Sequence, residues 1–205
     1  MYTAEFTSVD TDILDFLKVL YFGSIENPFD AASRRAYLDF NRTIRFMGTP
    51  DSERAVLRET VTAYLKQEIT RMATDDIVNQ KAFDEWHRGV CEHIRSVYHT
   101  QNIEFFYGQA QKWLNMTIKY LFVLGAVSFD NVFKYLHIPI DNYIFDIAKA
   151  EYGIAVPKVR WSRWDDYTGQ YLAYQEKLRS VISGYEPLRW EFKYWMKSAR
   201  GKEIE

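Results

Sequence analysis

The sequence predicts an all-α fold. Apolar residues recur at intervals of three and four along most of the chain, no alternating stretch of strand length interrupts them, and capping residues and glycines punctuate the segments. With 205 residues, 47% apolar and 26% charged, the chain suits a single all-helical domain. Within it, helical portions 1–99 and 100–205 would lie around a cleft, and the break after Pro157 is the one candidate hinge.

Each segment has its own local reasons. "DTDILDFLKVLYFG" opens with aspartate caps, and "DAASRRAYLDFNRTIRFMG" runs on to Gly48; both read as amphipathic core helices. In "TPDSERAVLRETVTAYLKQEITRM", Thr49 is the expected cap and Pro50 the first helical residue. After the polar break "ATDD" comes "NQKAFDEWHRGVCEHIRSVYH", then a helix from Gly108 to about Gly125. A short helix near "SFDNVFKYLH" and one from Asp141 to about Tyr152 follow. "SRWDDYTGQYLAYQEKLRSVISG" and "PLRWEFKYWMKSA" complete the set.

Composition excludes several classes of function. The single cysteine, Cys91, rules out an internal disulfide or a cysteine-rich zinc site, reads as inert core, and suits a reducing cytoplasm. The first residues, "MYTAEFTSVDTDILDF", carry acids where a secretory signal needs bases, and no apolar run reaches the roughly 18 residues of a membrane span. The expectation is a cytoplasmic or nucleoid-associated protein that is not secreted and has no membrane partner. A net charge of −2 argues against coating nucleic acid by charge alone, although the balance rises from negative in residues 1–99 to positive in 100–205.

His87, His93, His99 and His137 lack the i, i+4 pairing of a helical metal site, so no metal and no cofactor is expected. The pairs Asp75-Asp76 and Asp165-Asp166 read as helix-start residues, with Ser162 to Asp165 shaped like a capping box. Aromatics make up 17% of the chain; most are core, and a few can wall a pocket.

Two stretches carry chemistry. In "YGQAQKWLN", residues 107–115, Gly108 permits a tight turn into a helix. The amides of Gly108, Gln109, Ala110 and Gln111 would then sit where a helix dipole and free N–H groups bind phosphate. Lys112 at that helix mouth is either a solvated surface lysine or an amine whose neutral form is favoured as a nucleophile. In "IPIDNYIFDIAKAEY", Pro139 keeps the preceding residue extended and Asp141 starts a helix, as an N-cap or as something more.

A G-x-A-x-K turn followed by an apolar-Pro-apolar-Asp segment resembles the helix-hairpin-helix DNA glycosylase superfamily. The closer likeness is to 8-oxoguanine DNA glycosylases of the archaeal type, carried by "QKWLNMTIKYL", "IPIDNYIFDIAKAEY" and "GYEPLRWEFKYWM". It spans roughly residues 105–196, with Ala110 departing from the family's second hairpin glycine. The resemblance implies Lys112 as a Schiff-base nucleophile and Asp141 as the catalytic aspartate, the two facing each other within about 12 Å across a cleft. It also implies DNA with a damaged or modified base as the partner. Lys119, Lys158, Arg160, Arg163, Lys193 and Lys197 are the basic candidates for its backbone. Two alternatives stay open: a base-modifying or base-exchanging enzyme of phage DNA hypermodification type on the same fold, and a non-enzymatic helical module that binds DNA or protein.

Overall fold

The computed structural model describes residues 10–75 and 77–202. Among them are eight α-helices and no strand, as the periodicity predicts. They are α1 (Thr11–Phe22), α2 (Pro28–Leu38), α3 (Asp51–Thr74), α4 (Gln80–His99), α5 (Tyr107–Leu124), α6 (Asn142–Tyr152), α7 (Ala173–Val181) and α8 (Pro187–Lys202). Short 3₁₀ turns lie at Asn41–Thr43, Phe133–Tyr135 and Trp161–Arg163, and a π-helical turn at Tyr167–Leu172 leads into α7.

The molecule is built around α5. All residues from Tyr107 to Leu121 are buried, and α2, α4 and the 161–163 and 167–172 turns pack against this helix. One continuous apolar core therefore joins residues from both halves of the sequence, including Tyr37, Phe40, Phe83, Trp113, Phe145 and Trp190. A helix buried on every side must satisfy its polar side chains internally. Gln109 donates to Thr43, Asn115 to the Tyr171 hydroxyl, and Thr117 to the Trp113 carbonyl; Lys112 and Lys119 each have a carboxylate partner.

Caps fix most of the boundaries. Asn79 Oδ1 accepts from the Ala82 amide at 2.9 Å to start α4, and Asp141 Oδ1 accepts from Ile144 at 3.1 Å to start α6. Gly125 and Gly153, both left-handed, end α5 and α6.

Several expectations need correcting. α1 is not a core helix: Phe22 is its one buried residue, while Ile13, Phe16 and Leu20 stand in solvent. α2 ends at Leu38, ten residues before Gly48, because Phe40 and Ile44 reach the core from a 3₁₀ turn held by Gln109 rather than from a continuing helix. Pro50, not Thr49, occupies the cap of α3, and the Thr49 hydroxyl donates instead to Phe46 O. Ser162 makes no capping box: it lies inside a 3₁₀ turn, and the next helical turn is capped by Asp166, whose Oδ1 accepts from Gly169 at 3.0 Å. Asp165 pairs with Arg95. Asp75 ends α3 rather than starting a helix; Asp76, and residues 1–9 of the stretch read for export, lie outside the described residues. No described helix is long and apolar enough to cross a membrane.

Candidate active site

Lys112 and Asp141, 29 residues apart in sequence, are in contact: Nζ stands 2.7 Å from Oδ2. α5 carries the lysine, its side chain only 6% exposed, and the cap position of α6 carries the aspartate, 18% exposed. Both carboxylate oxygens are therefore committed, Oδ1 to the Ile144 amide and Oδ2 to the amine. Lys112 does not sit at the helix mouth. It is the sixth residue of α5, beyond the turn in which a dipole acts strongly, so its local field comes chiefly from Asp141.

The approach of Asp141 is set by a clamp on the extended segment before it. Gln111 donates from Nε2 to Ile140 O at 3.0 Å and accepts from Ile140 N at 3.2 Å. Gln175 of α7 treats Ile138 the same way, at 2.7 Å and 3.2 Å. Pro139 between them has no N–H to satisfy. Two glutamine side chains thus replace the neighbouring strands that an extended backbone would otherwise need.

Gln111 is tied in turn to a buried polar chain. Asn115 donates to Gln111 and to the Tyr171 hydroxyl, which also meets His137 and His87. His137 Nε2 lies 2.7 Å from Asp84, beside Arg179. Burial, with His137 adjacent, pushes the His87 imidazole well below its usual range. Burial lowers His137 as well, only partly opposed by its bond to Asp84. Both imidazoles are neutral members of a structural network. Cys91, beside His87, is fully buried with its thiol pushed far up by burial. Among the described residues no three His, Cys, Asp or Glu side chains converge as metal ligands would.

The ion pair opens on a cleft of about 950 Å³ walled by α1, α2, α5, α6 and α8, at the upper end of the range for ligand sites, roughly 300–1,000 Å³. Tyr21, Tyr120, Tyr143, Trp161, Phe192 and Trp195 give it aromatic walls. Tyr120 donates to Asp39 at 2.6 Å, and burial, with that carboxylate beside it, pushes its phenol far above the ordinary range. Lys119, a candidate for DNA contact in the sequence, is buried in the cleft wall, with Glu191 oxygens at 2.7 and 2.8 Å.

The first turn of α5 differs from the expectation. Gly108, Gln109, Ala110 and Gln111 are all buried, and the amides of the first three already donate, to Trp164 O and Phe106 O. These three amides are therefore not free for a phosphate. Gly108 is required for a different reason: a Cβ there would lie 1.7 Å from the Trp161 carbonyl oxygen. Gln109 holds the 41–43 turn through Thr43 O and Oγ1, at 2.9 and 3.0 Å. Of the other basic candidates, Lys197 pairs with Glu151 and Lys193 donates to Tyr185, whereas Arg160 and Arg163 line a small pocket with Arg42 and Arg45. Nothing local in the sequence marks Arg42 or Arg45. No family model, curated protein or solved structure matches this chain.

Proposed function

We propose that this protein is a DNA glycosylase, with a coupled lyase step, that excises a damaged or modified base through Lys112. The observation that carries this reading is the 2.7 Å contact between an amine and a carboxylate in the wall of an aromatic cleft. Flat aromatic walls suit a base flipped out of the stack, at a cost of a few kcal/mol. An amine beside a carboxylate suits attack on its sugar.

In the resting protein Lys112 Nζ and the Asp141 carboxyl group are in contact. A nucleotide sugar entering beside them develops positive charge at C1′ as the glycosidic bond breaks and the base leaves with the bonding electrons. Asp141 then stabilises that charge and accepts a proton from Lys112, whose freed nitrogen lone pair bonds to C1′. Opening of the sugar ring, with O4′ taking a proton from the nitrogen, yields the Schiff base, and the proton held by Asp141 passes to the departed base. Loss of a C2′ proton and departure of the 3′ phosphate then cut the strand, and water releases the lysine. Gln111 and the Ile144 amide keep Asp141 in place throughout.

The test is a panel of duplexes, each with one modified base, incubated with protein and scored for alkali-labile sites. Release of one modified base without its replacement supports the reading. A base exchanged for another, or DNA bound and left intact throughout the panel, removes it.

A further inference from the structure

Four arginines converge beside the cleft. Arg42, Arg45, Arg160 and Arg163, with Thr43 and Ser162, line a pocket of about 340 Å³. Arg163 is held by Glu104 at 3.2 Å and lies over the Phe106 ring. Arg42, Arg45 and Arg160 have no carboxylate within ion-pair distance among the described residues. Gathering guanidiniums around one opening raises a positive potential there that favours a bound anion. Arginine's planar fork matches phosphate oxygens two at a time.

This arrangement is built by the core. The two turns that carry the arginines come from opposite halves of the sequence, and both dock on the first turn of α5. Gln109 grips the 41–43 turn through Thr43, and Gly108 lets the 161–163 turn lie directly on the helix, its amide donating to Trp164 O at 2.9 Å. Lys112 follows Gly108 by one helical turn on the same rigid element. Arg42 lines both the arginine pocket and the cleft, and Trp161 of the cleft wall lies between Arg160 and Ser162 of the pocket.

We infer that this pocket is a phosphate-binding site, and that it takes a backbone phosphodiester flanking the nucleotide whose sugar reaches Lys112. The choice of a polynucleotide over a free nucleotide rests on the glycosylase reading; the phosphate chemistry does not. Gly108 and Gln109 then serve DNA indirectly, by holding arginine-bearing turns instead of offering amides.

The experiment compares Arg45→Gln/Arg160→Gln with Lys66→Gln/Lys81→Gln, which removes the same charge at exposed lysines outside both pockets. Binding to a duplex with a stable abasic-site analogue is followed by fluorescence anisotropy across a salt series, with folding checked by thermal melting. The arginine pair should lose tenfold or more in affinity at low salt. Its slope of log affinity against log salt should flatten by about 0.9 for each phosphate that the variant no longer neutralises. Arg45→Lys/Arg160→Lys should recover the slope but only part of the affinity.

Affinity changes equal to those of the lysine control overturn the inference, whatever borohydride trapping shows. If trapping fails but the arginine pair still weakens DNA binding selectively, the phosphate site stands and the glycosylase reading falls. A deoxynucleoside monophosphate that binds the native protein and not the arginine pair, with no binding of duplex to either, overturns the polynucleotide assignment.

Discussion

Replacing Gly108 by alanine should destabilise the protein, against the ordinary rule for helices. In a helix interior Gly→Ala gains up to about 1 kcal/mol. Here the new methyl group would meet backbone, 1.7 Å from the Trp161 carbonyl oxygen and 2.8 Å from its carbon. Neither atom can rotate away. The 161–163 turn must retreat by well over an ångström, which breaks the bond from the Gly108 amide to Trp164 O, 2.9 Å in the native protein. Overpacking of this kind costs about 1–3 kcal/mol, and an orphaned buried amide about 1–3 more. Net of the propensity gain, a loss of about 1–5 kcal/mol is expected, read as a lower urea midpoint with an unchanged m-value. Because the turn carries Arg160 and Arg163, DNA affinity should fall with stability. A Gly108→Ala protein as stable as the parent, or more so, would refute the claim that this glycine exists for the close approach.

Other perturbations have equally definite outcomes. Lys112→Gln should fold and bind DNA but lose base release, with a stability loss of about 1–3 kcal/mol for the unpaired carboxylate, read by urea melts and single-turnover assays. Asp141→Asn keeps the acceptor for the Ile144 amide but leaves the Lys112 amine without its carboxylate, so stability should fall by about 1–3 kcal/mol, while base release slows by about 100-fold or more. Gln111→Leu strips partners from both polar groups of Ile140 and should cost about 2–4 kcal/mol in a urea melt. The two buried imidazoles, both depressed by burial, contribute stability that is fully present above about pH 6.5, the unfolded value, and is lost as pH falls below it. Each adds a slope of up to about 1.4 kcal/mol per pH unit, so urea midpoints that stay level from pH 7 to pH 5 would contradict their buried, neutral state.

The parts of the fold legible in the sequence are those decided by neighbours in the chain. Asn79, Gly125, Asp141 and Gly153 mark helix ends by their own chemistry, and α4, α5 and α6 follow their expected bounds. Where distant residues decide, local pattern misleads. Phe40 and Ile44 continue the helical spacing of α2, yet Gln109, far along the chain, holds their segment in a 3₁₀ turn. The apolar residues of α1 are spaced for a core, but most of them are exposed, Phe22 being the one that is buried.

The candidate site divides in the same way. An aspartate cap and a lysine on an apolar helix can be picked out singly, and their pairing is what the resemblance to helix-hairpin-helix glycosylases implies. The glycine and glutamines of the same stretch read locally as a phosphate turn, because a glycine before a helix has that meaning. Their actual partners, Trp161, Thr43 and Ile140, are contributed by remote segments. Arg42 and Arg45 cannot be joined to Arg160 and Arg163 without the fold, since the shared helix turn that gathers them is visible only in three dimensions.

In the proposed reaction the amine of Lys112 attacks the sugar of a damaged or modified nucleotide. The most direct measurement is borohydride reduction of the native protein on duplexes bearing single modified bases, followed by mass spectrometry of the digested adduct. One covalent sugar adduct is expected, located on Lys112 and absent from Lys112→Gln. An adduct on another lysine, or none with any duplex whose base is released, would contradict it.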